Sequence, residues 1–234
     1  MPLDRQTILQ HAFAQLNASG MESLTLRRLA ARLNVQAPAL YWHFKNKQEL
    51  LDEMGTQVFR EAIQNGPANG PAMDLEQPWQ DWALAYGGGL RKTLLHYREG
   101  ARIFSGTYLT DASLYAALEA SLRKLTGAGF TLRQSVTALA ALYNYTIGFV
   151  IEEQAVHPFS IEAGPGATQP GQPVDARLDK RYDLAQRDER IDKSLYPLAY
   201  AAGAELFLNH DARFRAGLEM IVRGIAATRS GDPV

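Results

Sequence analysis

The densest chemistry in this 234-residue chain lies between Leu24 and Lys47, where Thr25, Arg27, Tyr41, His43 and Lys47 are interleaved with Leu29, Ala30, Leu33, Val35 and Leu40. Two short helices joined by a tight turn at Asn34 and Val35 would pack through the apolar set. The second helix could then enter a groove of duplex nucleic acid by its N-terminal end while the first crosses the backbone. Charge is distributed to match. The whole chain carries −1, but residues 1–48 hold Arg5, Arg27, Arg28, Arg32, Lys45 and Lys47 against Asp4 and Glu22, a net +4 that leaves −5 for the rest. A basic head on an acidic body suits a module that grips phosphates while its body stays clear of them.

Other chemistries find less support. The five histidines (His11, His43, His96, His157 and His210) are scattered, with no pair at metal-ligand spacing and no nucleophile motif among them. Glu152 and Glu153 are adjacent on a helical pattern and point different ways, so they make a poor acid/base pair. There is no cysteine, which excludes a disulfide framework and thiolate metal sites and suits a reducing cytosol. No basic segment precedes an apolar run at the N-terminus, and polar residues interrupt every apolar stretch before the ~18 residues a membrane span needs. The expectation is a soluble cytoplasmic protein, not an enzyme, with no cofactor, no metal and no membrane partner.

The elements that must hold the 24–47 segment are helical. No run of alternating β-branched residues appears, and the predicted fold class is all-α. Ile8, Leu9, Ala12, Phe13 and Leu16 stripe a first helix over 4–18, stopped at Gly20. Thr25 caps a second, Leu26 to Leu33, and Gln36-Ala-Pro38 opens a third of about two turns. Asn46 caps a longer helix to about Gln64. Gly66-Pro67 and Gly70-Pro71 then break the chain. This divides it into a helix-turn-helix domain (1–48), a connecting helix (49–66) and a larger helical body (67–234). In the body the pattern predicts helices from about Asp74 to Leu95, Asp111 to Thr126, Thr131 to Val156, Lys193 to Leu208 and Asp211 to Arg229. Gly87-Gly-Gly89 sits inside the first of these and is open to two readings, a kink or the close approach of a ligand or second helix. Residues 157–173 are rich in Pro, Gly and Gln and read as a mobile loop.

Two stretches carry a family resemblance. Leu40-Tyr-Trp-His-Phe-Lys-Asn-Lys47, opened by Ser23-Leu-Thr-Leu-Arg-Arg-Leu-Ala30, resembles the DNA-binding domain of TetR-family transcriptional regulators. In the body, His96-Tyr-Arg-Glu-Gly-Ala-Arg-Ile-Phe-Ser-Gly-Thr107, Gly129-Phe-Thr-Leu132 and Tyr145-Thr-Ile-Gly-Phe-Val-Ile-Glu152 resemble the tetracycline-repressor branch of that family.

The resemblance implies a homodimeric, ligand-responsive repressor acting on a double-stranded DNA operator and released by a small-molecule effector. It gives Arg27 a guanine edge, Thr25 and Lys47 phosphates, and Tyr41 and His43 phosphate or sugar. Pro38 and Ala39 would touch a thymine methyl group. Ala37 and Ala39 replace the Gln and Thr of that branch, which points to a different operator. Trp42 belongs to the same surface segment, although core packing is its more ordinary role. Ile63, Phe104, Tyr86 and Asn144 stand where the tetracycline-binding branch carries His, the magnesium-binding His, Asn and His, while the acid at Glu152 is retained. A phenyl ring cannot ligate a cation, so the expected pocket is metal-free. Its expected lining is Ile63, Tyr86, Leu90, Phe104, Thr107, Tyr108, Tyr143, Asn144 and Glu152, suited to a mostly apolar or aromatic compound and not to Mg-tetracycline. Small residues on the 131–156 helix (Ala138, Ala141, Gly148) and the last helix (Ala216, Gly217, Gly224) would admit a partner in an intersubunit bundle. The alternative is a helical protein-interaction module with a degenerate head, against which Arg27, Tyr41, His43 and Lys47 stand.

Overall fold

The computed structural model describes residues 3–67, 76–109, 111–156 and 183–229, and among these there are eleven helices and no strand. The head comprises α1 (Arg5–Ser19), α2 (Leu26–Arg32) and α3 (Ala37–Tyr41), and α4 (Lys47–Asn65) leads out of it. The body follows as α5 (Trp79–Leu95), α6 (Gly100–Ser105), α7 (Ser113–Gly127), α8 (Leu132–Val156), α9 (Leu184–Glu189), α10 (Pro197–Phe207) and α11 (His210–Arg229). The 157–173 segment, Asp74 and Leu75 lie outside the described residues; residues 76–78, expected to be helical, are not, and α5 starts at Trp79 after Pro78.

Side-chain caps set the head's helix starts. Asp4 accepts from the Thr7 N–H at 2.7 Å, Thr25 from Arg28 at 3.2 Å and Asn46 from Glu49 at 2.9 Å, each satisfying an amide the helix cannot. Asn34 takes a left-handed conformation (φ 54°) to turn α2 into α3. Ile8, Leu16, Leu24, Leu29, Leu40, Phe44, Leu50 and Met54 form the head's core. Ile103 of α6 joins that same core, so the body packs directly into the base of the head. Arg5 fastens α1 to α3 and α4: it lies 4.3 Å over the Phe44 ring, donates to the His43 carbonyl at 2.6 Å and pairs with Glu49 and Glu53.

Two further cores fill the body. One joins Trp79, Trp82, Phe130, Leu142, Phe214 and Leu218, and the other joins Val58, Leu90, Leu94, Tyr97, Phe104 and Val150. Helix α5 runs unbroken through Gly87-Gly-Gly89. Close approach explains Gly87, since a Cβ there would stand 2.7 Å from Leu218 Cδ2 and 3.4 Å from Thr146 Oγ1. Gly88 faces open space and has no such reason.

Two details differ from the sequence pattern. Leu132 and Val136 belong to the apolar spacing of α8, yet they are 62% and 51% exposed, because α8 turns Ser135, Ala138, Leu142 and Thr146 into the body instead. Helix α10 starts at Pro197 and not at Lys193, because the Asp192 carboxylate folds the preceding residues into a turn, accepting from Ser194 N at 2.9 Å and its hydroxyl at 2.6 Å.

Helices α5, α8 and α11 are tied by one buried cation. Arg91 on α5 donates to both Glu153 oxygens, at 2.8 and 2.5 Å, and reaches Asp211 at 2.7 Å. Its guanidinium also sits 5.0 Å from the Phe214 ring and 5.8 Å from that of Phe149. Burial alone would pull the Arg91 pKa down, but hydrogen bonding and charge from Glu153 and Asp211 carry it up overall.

Candidate nucleic-acid interface and ligand cavity

The head's outer face is assembled from α2, α3 and the turn after it. Thr25, Arg27, Pro38, Tyr41 and Trp42 are exposed, and Ala37, Ala39, His43 and Lys47 half-buried. Trp42 is 89% exposed, which corrects the expectation of core packing. At the C-cap of α3 its ring points away from a core that Leu40 and Phe44 already fill. Thr25 has a second task, because its hydroxyl oxygen caps α2. Lys47 donates to the Met21 carbonyl at 2.9 Å, so it steadies the α1–α2 connection from the end of the head's outer face. The arrangement offers a cation, a phenol, an indole and an imidazole around a short helix, which can bind sugar-phosphate while the first turn of α3 meets base edges.

Behind the head, α4, α5, α6, α7 and α8 enclose a cavity of about 390 Å³, a size suited to a drug-sized ligand. Ile63, Tyr86, Leu90, Phe104, Thr107 and Tyr143 all line it. Tyr108, Asn144 and Glu152 do not. Tyr108 is 75% exposed and points outward, and Asn144 and Glu152 lie on the exposed face of α8. The carboxylate that is buried in α8 is the next one, Glu153, held by Arg91. Sequence reasoning missed much of the remaining wall: Phe59 and Ala62 of α4 with Gly66 at its C-cap, Leu114, Ala117, Leu118 and Ser121 of α7, and Leu139 of α8. The α4 and α7 sets recur at i, i+3, i+4 and i+7, a stripe that marks a buried face but does not say whether it meets a core or a cavity.

Burial pushes the Tyr86 hydroxyl up to about 12, with Tyr143 adding to the shift, and burial also raises Tyr143. Both are neutral phenols at ordinary pH. Among the described residues no carboxylate, imidazole or cationic side chain lines the cavity, and no group of three His, Asp or Glu could hold a metal.

The cavity wall touches the head by two routes. Two residues after α6 are fastened to α4: Tyr108 N donates to Asp52 at 3.1 Å, and Asp111 accepts from Arg60. Thr107 packs so closely on Gly55 that a Cβ there would collide with it. At the other end of α6, Glu99 has φ 54° and accepts from Met21 N at 2.6 Å, while Arg98 N donates to Asn17 at 3.0 Å. A change in the wall at Phe104 or Thr107 therefore borders groups that hold both α4 and the α1–α2 connection.

Two family models match this chain. The family described as "Bacterial regulatory proteins, tetR family" matches residues 8–54, and "Tetracyclin repressor-like, C-terminal domain" matches residues 71–229. The chain belongs to the TetR family. It is 35% identical over 97% of its length to 92% of the class C tetracycline repressor protein of Escherichia coli. To the class A tetracycline repressor protein from transposon 1721 of Escherichia coli it is 34% identical, with 98% of each chain covered. A solved structure of a possible TetR-family regulator from Streptomyces coelicolor A3(2) superposes with a TM-score of 0.77 at 30% identity, covering 96% of this chain and all of that one. In this TetR-family chain the head is the helix-turn-helix DNA-binding unit of a transcriptional regulator, and the body is of the ligand-binding type. None of the described helices is long and apolar enough to cross a membrane.

Proposed function

We propose that this chain is a dimeric repressor that binds a near-palindromic operator and is released by a mostly apolar or aromatic small molecule other than Mg-tetracycline. The observation that carries the reading is the cavity wall itself, which shares α4 and α6 with the base of the DNA-reading head. A ligand wedged against Phe104 and Thr107 would load the Asp52–Tyr108 and Glu99–Met21 contacts. Release follows if the ligand favours the head spacing that misfits the operator; a coupling of ~3 kcal/mol would change affinity about 150-fold.

Relatives of this chain are named tetracycline repressors, but the cavity offers Phe104 and Ile63 where a chelated magnesium would need imidazoles, and Glu152 stays outside on an exposed face. A dimer is supported by the outward faces of α8 and α11. Val136, Ala140, Asn144 and Gly148 recur one turn apart on the first, and Ala216, Met220 and Gly224 on the second, all exposed in the single chain. Ala138 and Gly217, expected on the same faces, pack inward, Gly217 against Tyr145. Within the head, Arg27, Tyr41 and Trp42 stay exposed where a degenerate interaction module would have no use for them.

Selection from a random duplex DNA pool, followed by binding of the winner across a salt series, tests the reading. The expected winner is palindromic, with a steep salt slope, and Arg27→Ala or Tyr41→Ala weakens it. Mg-tetracycline should leave the complex intact. Absence of enrichment, or release by Mg-tetracycline at micromolar concentration, would overturn the operator or the effector half of the proposal respectively.

A further inference from the structure

Hydrogen-bond accounting inside the cavity narrows what its occupant must be. Thr107 already donates its hydroxyl proton to the Phe104 carbonyl at 3.2 Å, Ser121 to Ala117 at 2.8 Å and Ser105 to Arg102 at 3.4 Å. Tyr86 and Tyr143, both half-buried and both lining the cavity, make no hydrogen bond with any described residue. Tyr143 lies close enough to Tyr86 to add to the rise that burial causes in the Tyr86 hydroxyl. A phenol that faces a cavity with no protein acceptor for its proton keeps that proton free for a ligand, so the pair is suited to an acceptor brought in by the occupant. The walls around them are flat or aliphatic: Phe59 and Phe104 stack with centroids 6.3 Å apart, and Phe104 meets Tyr143 at 6.0 Å. Burying a charge here would go uncompensated, because no described lining residue carries one.

We infer that the effector is an uncharged, largely aromatic molecule carrying a carbonyl or equivalent acceptor, and that this acceptor lodges between the Tyr86 and Tyr143 hydroxyls and takes a hydrogen bond from each. Carboxylates, ammonium compounds and plain hydrocarbons of the same shape are discriminated against, the first two by charge and the last by leaving both phenols unpaired. This deepens the reading of the cavity as the effector site and rests on it.

Three tricyclic probes of one shape test the class: fluorenone, which has the carbonyl; fluorene, which lacks it; and fluorene-9-carboxylate, which is charged. Binding to the full-length protein is read by emission of Trp82, which stacks on Tyr86 at 5.6 Å, and the bound ketone by its infrared carbonyl stretch. Fluorenone should bind at least about tenfold more tightly than fluorene, and the carboxylate should be the weakest. Tyr86→Phe and Tyr143→Phe should each weaken fluorenone about fivefold, leave fluorene unchanged and move the bound carbonyl stretch back toward its free value. Equal binding of fluorene and fluorenone, tighter binding of the carboxylate, no binding by any of the three, or a carbonyl stretch indifferent to both variants would overturn the assigned class. The site is tested separately by Leu118→Trp, which fills the cavity rim from an exposed position. Fluorenone bound to the wild type but insensitive to that change would remove the cavity as the effector site, whereas unranked probes all blocked by it would remove only the class.

Discussion

Replacing Arg91 by Met isolates the one cation that holds α5, α8 and α11 together. Met keeps most of the aliphatic stem against Phe149 and Phe214 and deletes only the charge and its donors. Glu153, whose side chain is 9% exposed, then loses the partner of both its oxygens, while Asp211, 75% exposed, returns to solvent at little cost. Breaking a buried pair from one side costs about 3–5 kcal/mol. That is a large share of the ~5–15 kcal/mol that holds a typical domain folded. For a chain of this size the corresponding fall in Tm is of order 10 °C. Removing the carboxylate as well, in Arg91→Met/Glu153→Leu, should recover most of the loss, since neither charge is then buried. Urea unfolding followed by far-UV circular dichroism measures all three proteins, at one protein concentration because dimerisation contributes to stability. If Arg91→Met unfolds within about 1 kcal/mol of the wild type, or if the double variant is no better than the single one, the ion pair does not bear the role assigned to it.

Neighbouring glycines of α5 should respond with opposite signs. Gly88→Ala should stabilise by up to about 1 kcal/mol through helix propensity, whereas Gly87→Ala should destabilise by about 1–2 kcal/mol because Leu218, 2% exposed, has nowhere to go; urea midpoints decide both. Asp111 is held down to about 2 by the Ser113 amide and then by Arg60. A carboxyl whose folded value is depressed contributes stability above its unfolded value near 3.8, and that contribution is lost as pH falls from about 4 toward 2. Asp111→Asn should therefore flatten the acid limb of a stability-against-pH curve and leave it parallel to the wild type above about pH 5. Asp52→Ala removes the acceptor for Tyr108 N. It should leave operator affinity without effector within about threefold of the wild type while shrinking the effector's influence on that affinity, a pairing that fluorescence anisotropy with and without effector measures directly.

Much of the fold was legible because the signals are local. Thr25 and Asn46 each act through an amide three residues on, so the starts of α2 and α4 could be read from residue type and spacing alone. The same holds for the left-handed turn at Asn34. In the cavity, Tyr86, Leu90, Phe104 and Tyr143 were reached through the family resemblance, not through pattern. Phe59, Leu114, Ala117 and Ser121 were overlooked because an apolar stripe looks the same whether it faces a core or an empty space. Glu152 and Glu153 show the limit at the scale of one residue. A step of 100° along α8 puts one in solvent and the other against Arg91, 62 positions earlier in the chain.

The sequence by itself determined the all-helical class, the helix-turn-helix head with its basic outer face, and membership of the TetR family, because helix periodicity, capping and motif spacing are properties of short stretches. Only the tertiary structure decided which face of α8 turns inward, that Trp42 stands out from the head, and that Ile103 of the body closes the head's core. It also decided that Tyr86 and Tyr143 line one cavity, neither of them hydrogen-bonded to a described residue. Those outcomes depend on which surfaces meet among residues tens of positions apart, where burial and pairing energies outweigh any preference a single segment carries.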